Sequence, residues 1–186
     1  MATGNAHKVK EAAHVLAPYG IALEHLPVER VEIQADDLAE IAKYSLSMIY
    51  FDKPVCVEDA GVSIDRWRGF PGPYSSYVLE RLGNPGILQL MEGESNRSAR
   101  YTSALAYRDE GGVRVFMGEV EGEIAYSIRG TNGFGYDPIF IPKESDGRTF
   151  GEMSDEEKNR LSHRARAFES LAKWLRDDSQ SLTPDH

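Results

Sequence analysis

The sequence predicts an α/β protein built on a mixed β-sheet, and three observations predict it. Apolar residues recur with helical spacing near both ends of the chain. β-rich runs fill the middle third, two of them joined by a hairpin signal. No repeat or low-complexity tract interrupts the 186 residues. One domain over residues 1–176, or one domain with two lobes sharing a core, is therefore expected. A polar tail, Asp177 to His186, contains Pro184 and is expected to fray.

The elements follow in order. Asn5 to Ala17 reads as a helix with Val9, Ala12, Ala13 and Leu16 on one face, ended by Gly20. Ile21 to Val28 alternates and reads as a strand. Leu38 to Phe51 reads as a second helix carrying Ile41, Leu46, Met48 and Ile49. Pro54 to Glu58 is a short buried strand, and Gly69 to Pro73 is a loop of glycines and prolines. Tyr74 to Leu82 and Pro85 to Met91 are helical. Arg100 to Arg108 and Val113 to Met117 flank the turn Asp109 to Gly112, Glu121 to Ile128 is a third strand, and Ile139 to Ile141 a short one. Ser162 to Arg176 is the last helix, with Phe168, Leu171, Ala172 and Leu175 on its stripe. Antiparallel strands in the middle of an α/β order imply a mixed sheet.

Composition narrows the function. A net charge of −9 disfavours a polymeric nucleic-acid partner, whose phosphate backbone demands a basic face. It leaves room for a small phosphorylated ligand neutralised by local cations or a carboxylate-held metal. No apolar run is long enough to span a membrane, and Met1 to Lys10 has no signal-peptide core. Cys56 is the only cysteine, which excludes an intramolecular disulfide and fits a reducing, cytoplasmic compartment.

Four stretches are candidates for chemistry, and each also reads as plain structure: a capped surface helix, a strand end at a polar turn, an aromatic turn plugging the core and a solvated surface pair. In Ala2 to Lys8 a glycine turn opens into a helix capped by Asn5, leaving free N–H groups at the positive end of its dipole. Lys8 is misplaced there unless an anion binds. Glu32 and the pair Glu58-Asp59 supply carboxylates, and adjacent acids at a strand end are costly without a cation. In Gly133-Phe134-Gly135-Tyr136-Asp137-Pro138 the glycines admit close backbone approach, and Phe134 and Tyr136 offer faces for stacking a base. In Glu157 to Arg164, Ser154 and Glu157 form a capping box, Ser162 caps the next helix, and His163 and Arg164 fall in its first turn against the dipole. His7, His14 and His25 lack ligand spacing, and Cys56 lacks a base partner.

In this order the stretches resemble the inosine triphosphate pyrophosphatase, or Ham1-like, family. The resemblance runs from Ala2 to about Leu175 and rests on Thr3-Gly4-Asn5 with Lys8, Glu32, Glu58 to Gly61 and Gly72 to Ser75. It continues through Gly133 to Pro138, Thr149 to Met153, and Glu157 to Asn159 with Ser162 to Arg164. It implies a long, curved, mixed sheet flanked by helices, two lobes around a central cleft, a homodimer and a Mg²⁺ requirement. The implied reaction is hydrolysis of ITP, dITP or XTP to the monophosphate and pyrophosphate. Thr3, Gly4, Asn5, Lys8 and Lys43 would hold the triphosphate. Glu32 and Asp59 would hold the metal, with Glu58 a possible support, and Asp59 and Lys8 would act in catalysis. Phe134, Gly135, Tyr136 and Asp137 would line the base pocket, and Lys158, His163 and Arg164 would read the base edge. Donor groups there suit the oxygen at purine position 6 and reject adenine's amino group.

The chain departs from the family's pattern in places. Only Met1 and Ala2 precede Thr3 where the family has a full strand, Gly151 replaces an alanine, and Ala165 and Ser76 stand where glycine and a basic residue are common. A Maf-like pyrophosphatase is the alternative within the fold, and Ser162-His163-Arg164 argues against it. A non-catalytic nucleotide sensor lacks a reason to keep Glu32, Glu58 and Asp59. A ligand-free structural protein does not account for cations at two helix starts.

Overall fold

A computed structural model describes residues 1–181, with side chains through residue 177. Helix α1 is Ala6–Leu16, α2 is Leu38–Ser47, and α3 is Ser75–Leu90; α4 is Asp155–Leu161 and α5 is His163–Ser181. The strands are β1, Val55–Ile64, β2, Pro71–Gly72, β3, Ser98–Asp109, β4, Gly112–Ile124, and β5, Phe140–Pro142. They form one sheet in the order β2-β1-β3-β4-β5. All of its ladders are antiparallel, and the parallel component is the single bridge between Ala2 and Leu26. The α/β reading, with a long sheet flanked by helices, holds in this form.

Four expectations about the strands and the tail change. Among the described residues the expected strand Ile21 to Val28 forms no ladder: it holds the N-terminus through Leu26 N to Met1 O, Thr3 N to Leu26 O and the Met1 ammonium to Glu24 O. Pro27 next to Leu26 has no N–H to give. β1 does not end at Glu58 but runs on to Ile64, so Glu58-Asp59 lies mid-strand, held by pairing with Leu105 and Ala104 of β3. The two expected strands Val113 to Met117 and Glu121 to Ile128 are largely one, β4, paired with β3 from Gly112 to Glu123. The glycine between them, Gly118, is a packing device: a Cβ there would lie 2.0 Å from the His163 carbonyl of α5. Finally, the tail expected from Asp177 is helical through Ser181, and residues 182–186 lie outside the described residues.

Helix α2 stops at Ser47, before the expected Phe51, and the break expected after Leu82 is a kink inside α3 at Gly83, where φ is 63° and ψ 173°. Asn5 caps α1 by accepting from the N–H groups of His7 at 2.9 Å and Lys8 at 3.4 Å. Ser154 and Glu157 close the expected capping box on α4, and Ser162 Oγ accepts from Ala165 N at the start of α5.

The core divides along the strands. Cys56, Leu105 and Tyr107 pack against Val15 and Leu16 of α1 and Phe168 and Leu171 of α5. On the opposite side Val55, Val57, Ala104 and Ala106 pack against Leu38, Ala42 and Leu46 of α2. The other half of the sheet, with Val62, Ile64, Tyr101, Val120 and Ile124, belongs to a separate cluster with α3 and Phe140 and Phe150. Between the halves sit buried polar residues, Glu58, Asp59, Thr102 and Ser103. Buried polar groups on central strands need partners, and their partners define the site.

Candidate active site

A cleft of about 570 Å³ opens where the two halves of the core meet. It joins the Thr3–Lys8 turn, the 28–32 segment, Asp59 of β1, Ser75 at the start of α3 and the aromatic loop after Gly133. A depression of similar size, about 550 Å³, lies at the β3–β4 hairpin around Arg114 and Trp174. It has no helix start and no buried carboxylate, so the chemistry lies in the first.

At one end the α1 N-terminus faces the opening. Thr3 Oγ1 accepts from Asn5 N at 3.1 Å, which shapes the turn before the helix. Lys8 Nζ lies 2.8 Å from Glu58 Oε2 and remains 14% exposed. Strand alternation sends neighbouring acids to different places. Asp59 lines the cleft, while Glu58 is fully buried with Ser103 Oγ donating to Oε1 at 2.8 Å and Arg164 Nη2 at 3.0 Å. Burial opposes ionisation of Glu58, but Arg164 and Lys8 outweigh it and hold the carboxyl below its ordinary range. Burial pushes Asp59 the other way, to about 6, helped by Glu32 and Glu58 and tempered by Lys8 and Arg30.

The other end is lined by Phe134, Gly135 and Tyr136. Asp137 Oδ2 accepts from Phe134 N at 2.7 Å and folds the loop on itself, and a Cβ on Gly133 would meet that same oxygen. Tyr136 Oη donates to Ser75 O at 2.9 Å, and Asn84 Nδ2 to Gly135 O at 3.1 Å, so α3 holds the loop at two points. Behind it, Lys158 Nζ sits 2.5 Å from Glu11 Oε1 and 2.6 Å from Asp137 Oδ2. Arg164 Nη1 reaches Glu11 Oε2 at 2.5 Å. Lys158 and Arg164 lie 4.8 and 5.4 Å from the Phe134 ring centroid. His163 stacks on Tyr101 at 3.8 Å, and among the described residues neither ring nitrogen has a partner. Burial, with Arg164 beside it, drives its pKa well below the ordinary value, so the ring is neutral, with one donor and one acceptor.

Thus Thr3, Gly4, Asn5, Lys8, Glu32, Asp59, Phe134, Gly135, Tyr136 and Arg164 meet on one cleft. Glu58, Asp137, Lys158 and His163 are buried, in contact with its lining. Lys43 is different: it is exposed on α2 and does not line the cleft. Its helix turns Ile41, Ala42, Ser45 and Leu46 inward, which leaves position 43 facing out. Sequence reasoning missed Glu11, Arg30 and Tyr101. Glu11 had a signal, since it lies three residues after Lys8 on one helix face. Arg30 stands two residues from its partner Glu32, but nothing local marks that pair as facing the distant Glu58 carbonyl, and Tyr101 had no signal because its partner His163 is distant in the chain.

The fold and cleft together define a class: an α/β protein whose open site pairs a helix start, a lysine and a buried carboxylate with an aromatic wall, an arrangement able to take a small phosphorylated aromatic ligand. The comparisons are specific. Residues 1–174 match the Ham1 family, and the chain belongs to it. It is 48% identical over 180 residues to a dITP/XTP pyrophosphatase of Methanopyrus kandleri, with 95% of each chain covered. It is 46% identical over 178 residues to one from Thermococcus kodakarensis, covering 95% of this chain and 96% of that one. A solved HAM1 protein from Coxiella burnetii matches with a TM-score of 0.80 at 28% identity, over 95% of this chain and 98% of that one.

Proposed function

We propose that this protein hydrolyses non-standard purine nucleoside triphosphates, dITP, ITP and XTP, to the monophosphate and pyrophosphate. The observation that carries the reading is Asp59: a cleft-lining carboxylate pushed up to about 6, beside Lys8 and the α1 N-terminus and sharing its cleft with Phe134. The relatives' name, dITP/XTP pyrophosphatase, supports the same reading.

The residues divide the work. The α1 N–H groups and Lys8 take phosphate oxygens and offset the charge that develops on departing pyrophosphate. Asp59 is a base poised near neutral pH. It accepts a proton from water as the water oxygen bonds to the α-phosphorus and the bond to the bridging oxygen breaks. No covalent intermediate is involved. Phe134 stacks the base, and the polar groups behind it with spare capacity, the His163 ring and Arg164 Nε, read its edge.

The donor set suits a hard divalent cation. Burial disfavours the Asp59 anion, so a cation beside it would stabilise its charge, and Glu32 nearby is half-exposed. Among the described residues no three acidic, histidine or cysteine side chains form a ready-made cluster. Two carboxylates completed by ligand oxygens is the Mg²⁺ pattern. Such an ion supplies neutralisation of phosphate charge. The reading also carries a homodimer, and a cytoplasmic setting that the buried free thiol of Cys56 accords with; among the described residues no helix is long and apolar enough to cross a membrane.

The test is pyrophosphate release, with Mg²⁺, from inosine, xanthosine, adenosine, guanosine and pyrimidine triphosphates. Preference for inosine and xanthosine is expected. Orthophosphate release would place the broken bond elsewhere, and no release at all would sink the reading.

A further inference from the structure

Arg30 stands at the phosphate end of the cleft with its side chain only 9% exposed. Its terminal nitrogens have different partners. Nη1 donates to the Glu58 carbonyl at 3.1 Å, and Nη2 donates to Glu32 Oε1 at 2.6 Å. Lys8 Nζ is 3.5 Å from the same carbonyl. The two cations therefore flank one peptide, immediately before Asp59.

Their counter-charges differ. Lys8 is tied to Glu58, whose side chain is fully buried, whereas Arg30 is tied to Glu32, whose side chain is 51% exposed. Glu32 can rotate away into water at little cost. The guanidinium, anchored by Nη1 and walled in, cannot follow. Once Glu32 leaves, Nη2 is a nearly buried charged donor without an acceptor, a state relieved by an anion in the cleft.

We propose that Arg30 is a phosphate ligand of this site, held in reserve by Glu32. Glu32 exchanges Arg30 for the divalent cation, and the freed Nη2 takes a phosphate oxygen. The inference rests on the reading of the cleft as a nucleoside triphosphate site.

It has two consequences of opposite sign. Without nucleotide, Arg30 competes with the cation for Glu32, so Arg30→Gln binds Mn²⁺ about 3- to 10-fold more tightly. With nucleotide, the same variant lacks a charged donor, so KM for inosine triphosphate rises about 10-fold with a smaller change in kcat. Arg30→Lys keeps the charge but not the fork and recovers part of KM. An arginine that only braces the loop would weaken both kinds of binding on removal.

The experiment measures free Mn²⁺ by electron paramagnetic resonance in nucleotide-free protein, and KM and kcat for pyrophosphate release, in wild type, Arg30→Gln and Arg30→Lys. Tighter Mn²⁺ binding with a raised KM is expected. Mn²⁺ binding that is unchanged or weaker, or an unchanged KM, overturns the inference. Should Arg30→Gln not fold, Glu32→Gln tests the same exchange from the other side. It frees Arg30 and is expected to bind inorganic pyrophosphate more tightly in EDTA, and no tightening overturns the inference. A wild type that releases no pyrophosphate from any nucleotide sinks the functional reading instead, and the Mn²⁺ measurement still judges the Arg30–Glu32 exchange.

Discussion

Lys158 and Arg164, behind the aromatic wall, have side chains 3% and 2% exposed, and each is pinned by two carboxylates. Glu32, at the phosphate end, is half-exposed with a single ion pair, and Asp59 holds a carboxyl that burial disfavours as an anion. The base end is therefore compensated before any ligand arrives, and the phosphate end is not. The difference matches what each end must do. A base is recognised by fixed geometry, and geometry is fixed by groups already paired. Phosphates and a cation bring charge of their own, and a site that had already neutralised itself would gain little from them.

Asp59→Asn breaks the phosphate end most severely. Turnover should fall about 10²- to 10⁴-fold, the usual contribution of a positioned base. Stability should move the other way. The Asp59 pKa is raised by folding from 3.8 to about 6. The folded state thus holds the proton more tightly, and wild-type protein loses stability as pH rises through that window, by about 3 kcal/mol at most. Asparagine carries no such loss. In EDTA, the difference in Tm between variant and wild type should shift in favour of Asp59→Asn between pH 4 and pH 7. A difference independent of pH would show that Asp59 is not the strained carboxylate.

Glu11→Ala breaks the base end. Glu11 is shared by Lys158 and Arg164, so its loss leaves both buried cations short of an acceptor. Removing one member of a buried ionic cluster costs about 3–5 kcal/mol. Urea unfolding measures it, and Glu11→Ala with Lys158→Met should recover part of the loss because the stranded charge goes too. Strictly additive losses would mean that the two residues do not share one network.

How far the sequence reveals this organisation depends on how local each signal is. The Thr3–Lys8 turn, the Gly133–Pro138 loop and the Ser154 capping box were legible because turn, cap and aromatic residues act within a few positions. The course of β1 was not. Asp59 and Gly61 have low strand propensity, so the acidic pair reads as a strand end. Pairing with Ala104 and Thr102 carries the strand on, and Gly61 is there because a Cβ would lie 2.1 Å from the Gly72 carbonyl. The pairing of Lys158 with Glu11 spans 147 positions, and no spacing rule reaches that far. Lys43 shows the converse. Its residue type suited the chemistry, but the helix face decided its direction.

Asn84→Ala gives the smallest effect and the finest cut between the two ends. The kink at Gly83 frees Asn84 from the helix ladder, and its amide donates to the Gly135 carbonyl of the aromatic loop. One neutral hydrogen bond is worth about 1 kcal/mol, so KM for inosine triphosphate should rise about 3- to 5-fold. Asn84 touches only the base end, through the loop it steadies. Mn²⁺ affinity should therefore not change, and kcat should stay within about twofold of wild type. A loss of kcat at constant KM would mean that the loop reaches Asp59, and that the two ends are one unit after all.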